Sequence, residues 1–144
     1  MSEATAMERW TLSEELLSRV LIPYRDNCKY LKKLSMEYLP VSSHVSADAS
    51  EASIAAIGEL SIGESCYIDS TGHFNAVEFQ ICANQLMYAM GAEVTRLRIL
   101  RAFSSMDLEG YYERQLPNVL ITNVTMAFKK VMNPRRFMLI SLFR

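Results

Sequence analysis

Apolar and polar residues alternate along two early stretches of the chain in the two-residue rhythm of a half-buried strand. In "LSMEY", Leu34, Met36 and Tyr38 fall on one side, with Ser35 and Glu37 on the other. From 53 to 62, Ile54, Ala56, Gly58, Leu60 and Ile62 alternate with Ser53, Ala55, Ile57, Glu59 and Ser61; the glycine marks a place where another group approaches closely. Ahead of both strands, "TLSEELLSRVLIPY" has helical spacing, with Leu16, Leu17, Val20 and Leu21 as its apolar stripe. Thr11 and Glu14 have capping-box spacing, and Pro23 marks the exit. From 74 to 90 the rhythm changes. Apolar residues point almost all round a helix, broken by a polar strip of Asn75, Glu78 and Gln85, with Gln80 and Asn84 roughly opposite. Such a helix has to be enclosed by protein, and Gly91 supplies a stop. "TRLRILRAF" then alternates again. "SSMDLEGYYERQLP" reads as a short helix capped by a serine and ended before Pro117, and "NVLITNVTMAFKKV" and "RFMLISLF" read as strands joined by a turn at Asn133 and Pro134. One enclosed helix among antiparallel strands predicts an α+β architecture. A sheet wrapped round a central helix of about 74–90, the hotdog arrangement, accommodates this order.

The length, 144 residues, suits one domain spanning 1–144. A formal net charge of −1, with Lys and Arg scattered, argues against a nucleic-acid partner, which needs a concentrated basic face. No apolar run reaches the roughly 18–20 residues of a membrane span, and the start "MSEATAMERW" is neither a secretory signal nor a transit peptide. Cys28, Cys66 and Cys82 are odd in number and widely spaced, which predicts reduced thiols and a cytoplasmic setting. The polar stretch 41–53, with His44, reads as a mobile loop.

A set of motifs carries a likeness. "LIPY", "IGESCYIDSTGHFNAVEFQICANQ", "QLPNVLI" and "MNPRRF", in that order from about 14 to 144, closely resemble the FcoT-like hotdog thioesterases. The resemblance implies hydrolysis of long-chain fatty acyl thioesters, on CoA or an acyl-carrier protein, as the leading activity. Relatives in isonitrile lipopeptide pathways imply an alternative, Michael addition of glycine to the β-carbon of a 2-enoyl thioester. A third reading is a non-catalytic acyl-binding module. Family members normally continue with further strands, so the C-terminal strands are expected to be truncated at Arg144, leaving an exposed edge. The resemblance also implies a homodimer or higher homo-oligomer, with sites between subunits.

Either reaction builds negative charge on the thioester oxygen. Backbone N–H groups at a helix start meet such charge, so the oxyanion donors are expected among residues 73–76. Gly72 lets the backbone come close, and Phe74 follows as a substrate contact. His73 is the candidate general acid or base; the bland alternative is a hydrogen bond to a loop carbonyl. Asn75 and Glu78 are candidates for catalysis and also have capping-box spacing. Tyr67 and Tyr24 match family positions proposed for the active site; the alternative for each is an ordinary half-buried aromatic. Asn84 lies nine residues beyond Asn75 and can serve a neighbouring subunit's pocket, or be a buried amide bonded to the sheet. The nine methionines suit an acyl tunnel or simply the core. Arg96, Arg98 and Arg101 can meet phosphates of CoA or of a carrier's phosphopantetheine, or form the wet face of a strand. No Gly-x-Ser-x-Gly elbow, metal-ligand spacing or dinucleotide fingerprint occurs, and no cofactor is called for.

Overall fold

The computed structural model describes residues 8–39, 53–69 and 73–143. The stretch 41–53, apart from Ser53, lies outside them, as does Gly72. In chain order come β1 (Arg9–Thr11), α1 (Glu14–Val20), β2 (Leu31–Tyr38), β3 (Ile54–Leu60), α2 (Ala76–Leu97), α3 (Leu108–Arg114) and β4 (Phe137–Phe143), with 3₁₀ turns at Asp26–Cys28 and Arg101–Phe103. The architecture is α+β: a four-stranded antiparallel sheet in the order β1-β2-β3-β4, with a long helix against it. This arrangement is compatible with a hotdog fold.

The register makes rows across the sheet. Trp10 lies opposite Met36, Met36 opposite Ala56, and Ala56 opposite Ser141. Leu34, Met36, Ile54 and Ala56 are completely buried, as the alternation requires. The glycine in β3 has the expected purpose. A Cβ on Gly58 would stand 2.8 Å from Cδ1 of Leu86, so its absence lets α2 settle on the sheet.

At 22 residues α2 is about 33 Å long. Its C-terminal half is enclosed: Leu86, Tyr88, Ala89, Met90, Ala92, Glu93, Val94 and Thr95 are all buried. Glu78 and Gln85 of its polar strip are buried too, as is Glu93 further along the helix. Gln85 is fully buried. Its Oε1 accepts from the backbone N–H groups of Tyr30 (2.9 Å) and Leu31 (3.0 Å), and its Nε2 donates to the carbonyl of Cys28. Glu93 accepts from Trp10 Nε1 at 3.0 Å and from Arg96 at 2.8 Å, tying β1 to the helix.

Several boundaries differ from the periodicity. Thr11 does not cap α1; it lies in β1 and pairs with Ser35 of β2, and Ser13 Oγ accepts from Leu16 N instead. The short helix α3 is capped by Asp107, not by a serine. The long helix does not stop at Gly91. It continues to Leu97 and ends at Arg98 in the left-handed conformation (φ 54°), whose N–H reaches the carbonyls of Thr95 and Val94. "TRLRILRAF" is therefore not a strand: four alternating residues also fit a helical turn, and here Thr95 Oγ1 bonds the Gly91 carbonyl while Arg96 pairs with Glu93 one turn back. The segment 119–130 is not a strand either. It is exposed from Leu120 to Lys130 and lacks ladder partners among the described residues, so its apolar alternation has no sheet to join.

Gly91 has a packing role. Tyr111 of α3 donates its hydroxyl to the carbonyl of Tyr88 at 2.8 Å, with its ring lying on the helix at that glycine. A Cβ there would run into the hydroxyl and meet ring carbons at 3.0 and 3.1 Å. Gly91→Ala gains about 1 kcal/mol of helix propensity but overpacks the contact, at a cost of about 1–3 kcal/mol, and displaces a buried hydrogen bond. The net outcome expected in urea denaturation is a loss of about 1–2 kcal/mol; a more stable variant would contradict this packing.

Candidate active site

The end of β3 and the start of α2 frame a small cavity. Past Leu60, the N–H of Ile62 donates to the carbonyl of Pro134 at 2.8 Å, which pins the turn before β4 against the end of β3. That turn is held by Asn133, whose Oδ1 accepts from Arg135 N at 3.0 Å. Ile62, Gly63, Glu64 and Ser65 form one wall, Pro134 and Arg135 another, and His73 and Glu78 the third. The cavity measures about 50 Å³, room for about four waters, and therefore for a small polar molecule rather than an acyl chain. Glu78 is buried (4 % exposed) and His73 is exposed.

Asn75 caps α2. Its Oδ1 accepts from Val77 N and Glu78 N at 3.1 Å each and from the hydroxyl of Tyr67 at 2.9 Å. Three donors on one oxygen fix the orientation of the amide, because a flip would aim an NH₂ at three N–H or O–H groups. Its Nδ2 is thereby turned away, buried and without a partner among the described residues. Ser65 Oγ, on the cavity wall, is also buried and unpartnered. Buried polar atoms are rarely left unpaired. Because Val77 N and Glu78 N serve Asn75, any backbone donor for a ligand at this helix start comes from before Val77.

Beyond Phe74 lies a larger, mostly apolar cavity of about 340 Å³. Phe74 packs edge-on against Phe79 (6.0 Å between centroids) and Phe137 (4.8 Å), and Phe79 against Phe128 (5.9 Å). Met126 and Met132 complete the apolar lining, and Lys129 and Lys130 also border it.

The structure thus brings together His73 and Glu78 in one cavity, Asn75 and Tyr67 at the helix cap, and Phe74 beside them. Gly72 lies outside the described residues. Asn84 accepts from Gln80 Nε2 at 2.8 Å, about 13.5 Å along the helix from Asn75. Of the amides on α2, Gln85 is the one bonded to backbone, at the start of β2. Tyr24 has Tyr88 and Tyr111 as its electrostatic neighbours, toward the other end of α2; burial, then Tyr88, holds its hydroxyl far above the usual tyrosine range. Arg96 is eighteen residues past Glu78, about 27 Å away along the axis. Its partner is Glu93, whose hydrogen bond holds the guanidinium in its charged form. Ser65 and Arg135 were not singled out from the sequence. Both lie inside quoted motifs, "IGES" and "MNPRRF", but nothing in local spacing says that two segments seventy residues apart meet.

An enclosed helix thus lies on an antiparallel sheet, with an acid, an imidazole and the buried Nδ2 of Asn75 at the helix start beside an apolar groove, an arrangement compatible with the hotdog class. The FcoT-like thioesterase domain matches residues 19–143, and the chain belongs to that family. It is 41 % identical over 124 residues to a (2E)-enoyl-[ACP] glycyltransferase of Streptomyces coeruleorubidus, covering 86 % of this chain and 68 % of that protein. It is 39 % identical over 127 residues to one of Mycobacterium bovis (88 % and 63 %), and 38 % identical over 127 residues to one of Mycobacterium marinum (88 % and 63 %). The chain thus spans about two thirds of the length of these relatives. Their names overturn hydrolysis as the leading reading: glycyl transfer to an enoyl thioester, first held as the alternative, is what each of them is called. Among the described residues, no helix is long and apolar enough to cross a membrane.

Burial pushes the Cys82 thiol from the ordinary 9.0 up to about 12, with the charge of Glu78 one turn away adding to it. Tyr24 and Tyr111 are raised above 10.0, again chiefly by burial. All three keep their protons in the fold at pH values where the unfolded chain has lost them. Their contribution to stability is therefore intact below pH 9 and fades as pH rises from 9 toward 12. Alkylation with iodoacetamide at pH 8, followed by peptide mass spectrometry, is expected to leave Cys82 unmodified in the folded protein and to label it in urea. Labelling of Cys82 at equal rates in both states would contradict its placement.

Proposed function

We propose that the chain is an enzyme that adds glycine to the β-carbon of a (2E)-enoyl thioester, carried on an acyl-carrier protein or CoA. The observation that carries this reading is the pairing of a small cavity lined by His73, Glu78 and Arg135 with an apolar groove that begins at the next residue, Phe74. One compartment suits a small polar nucleophile and the other an acyl chain. The family membership and the relatives' names support it.

In this reading the acyl chain lies along Phe74, Phe79, Met126 and Phe128, with its thioester at the start of α2. Glycine enters the small cavity and gives up an ammonium proton to Glu78 or His73. The freed amine pair forms the nitrogen–carbon bond at the β-carbon. The electrons of the double bond move through the α-carbon onto the carbonyl oxygen. There the unpartnered Nδ2 of Asn75 and backbone N–H groups before Val77 meet the charge; one such donor is worth about 10²–10³ in rate. The enolate then collapses as its α-carbon takes that same proton from the group that received it. In sum, one proton moves from nitrogen to the α-carbon, and the thioester bond survives. Tyr67 orients Asn75 through the hydrogen bond to its Oδ1. The reading includes a single hotdog domain, a homo-oligomer in which Asn84 serves a neighbouring subunit's pocket, Tyr24 as a substrate contact, and a cytoplasmic setting.

The test is product analysis. A (2E)-enoyl-carrier protein incubated with glycine and this chain is expected to yield an intact carrier heavier by one glycine, read by mass spectrometry. Release of free enoic acid with no adduct would overturn the reading. His73→Ala and Glu78→Gln are each expected to slow adduct formation by about 10²–10⁴.

A further inference from the structure

The small cavity has a feature that proton transfer and oxyanion binding leave unused. Besides His73 and Glu78 it is lined by Glu64, Ser65 and Arg135. Arg135 forms no ion pair among the described residues, although Glu64 and Glu78 border the same cavity. Its backbone is anchored at the cavity. Its backbone N–H is held by Asn133, and the carbonyl of the preceding Pro134 is bonded to Ile62 on the opposite wall. Ser65 Oγ, on that wall, is a buried hydroxyl without a partner among the described residues.

We propose that Arg135 and Ser65 form the subsite for the carboxylate of the amino-acid nucleophile, with Glu78 at the amine end. The proposal deepens the glycine-addition reading and rests on it. Two carboxylates in so small a space repel a simple anion. A guanidinium beside them repels a simple amine. A molecule carrying an ammonium and a carboxylate a few bonds apart satisfies both, and a guanidinium paired with a hydroxyl matches the two oxygens of a carboxylate. The size is compatible: a cavity of about 50 Å³ suits a small polar molecule and not an acyl chain. Arg135 and Ser65 thus set which amine is used and orient it, while the groove beyond Phe74 sets which acyl chain is used.

The test compares glycine with methylamine, which has the amine and lacks the carboxylate, against one enoyl-carrier substrate. Arg135→Met is expected to raise the KM for glycine at least about tenfold and to lower the preference for glycine over methylamine by a similar factor, as loss of a charge-assisted bond requires. Arg135→Lys recovers part of the preference, and Ser65→Ala loses a smaller share. Arg135 is exposed, so the variants are expected to fold. An Arg135→Met enzyme whose glycine KM and preference stay within about twofold of wild type overturns the subsite. A second measurement separates this from failure of the glycine-addition reading. Isotope-labelled glycine is titrated by NMR into wild type and Arg135→Met in the presence of a saturated acyl-carrier, which has no reactive β-carbon. If wild type makes no adduct with any amine, the reaction assignment fails and the titration decides the subsite. Glycine binding that is lost in Arg135→Met supports it; binding that is equal in both, or absent from wild type, overturns it.

Discussion

Two consecutive residues seat the central helix, and the site depends on that seating. Gln85 enters the base of β2 and holds Tyr30 N, Leu31 N and the Cys28 carbonyl at once, with no exposure to solvent. Leu86, its neighbour, drops onto Gly58 of β3. One contact is polar and directional, the other apolar and close, and together they fix the height, rotation and register of α2 on the sheet. A Gln85 side chain that could not accept would leave two buried N–H groups unpaired, each at about 1–3 kcal/mol, which is a large share of a small domain's stability. The helix start, ten residues earlier, inherits this position. Asn75, Glu78 and His73 are where they are because α2 cannot slide.

The site joins segments that local rules place far apart. The loop after β3, the start of α2 and the turn before β4 come together because β3 and β4 are paired partners, so the end of one strand faces the beginning of the other. The hydrogen bond from Ile62 to the Pro134 carbonyl closes that corner. The result is two unlike cavities on either side of Phe74. A small polar chamber lies on one side and a greasy groove on the other. A chemistry that brings together a charged small molecule and a long acyl chain needs both compartments to open on the same carbonyl.

Where the sequence was misleading, the cause is specific. Gly91 looked like a helix stop because glycine is common there, yet it is a contact surface for Tyr111. The alternation at 95–103 looked like a strand because Leu97 and Ile99 are separated by arginines, yet Glu93 and Gly91 give the last helical turn its partners. The alternation at 119–130 is real, but a strand is a relation between segments, and no partner stands beside this one among the described residues. Ser13, two residues after the expected cap, took its place because Thr11 was already committed to β1.

The chain by itself determined the inner faces of β2 and β3, the stripe of α1, the enclosed character of α2 with its cap at Asn75, and the presence of His73 and Glu78 near that cap. Each of these depends on residues within a turn or two of one another, where period and capping chemistry are decisive. The family is likewise legible, because the motif through "STGHFNAVE" is long and unusual. Only tertiary structure decided that Gln85 and Glu93 are structural ties, that Tyr24 and Asn84 stand away from the cap, and that Ser65 and Arg135 share a cavity with His73 and Glu78. Those outcomes turn on which strands pair and how deeply one helix sinks, and both are settled by packing between residues distant along the chain.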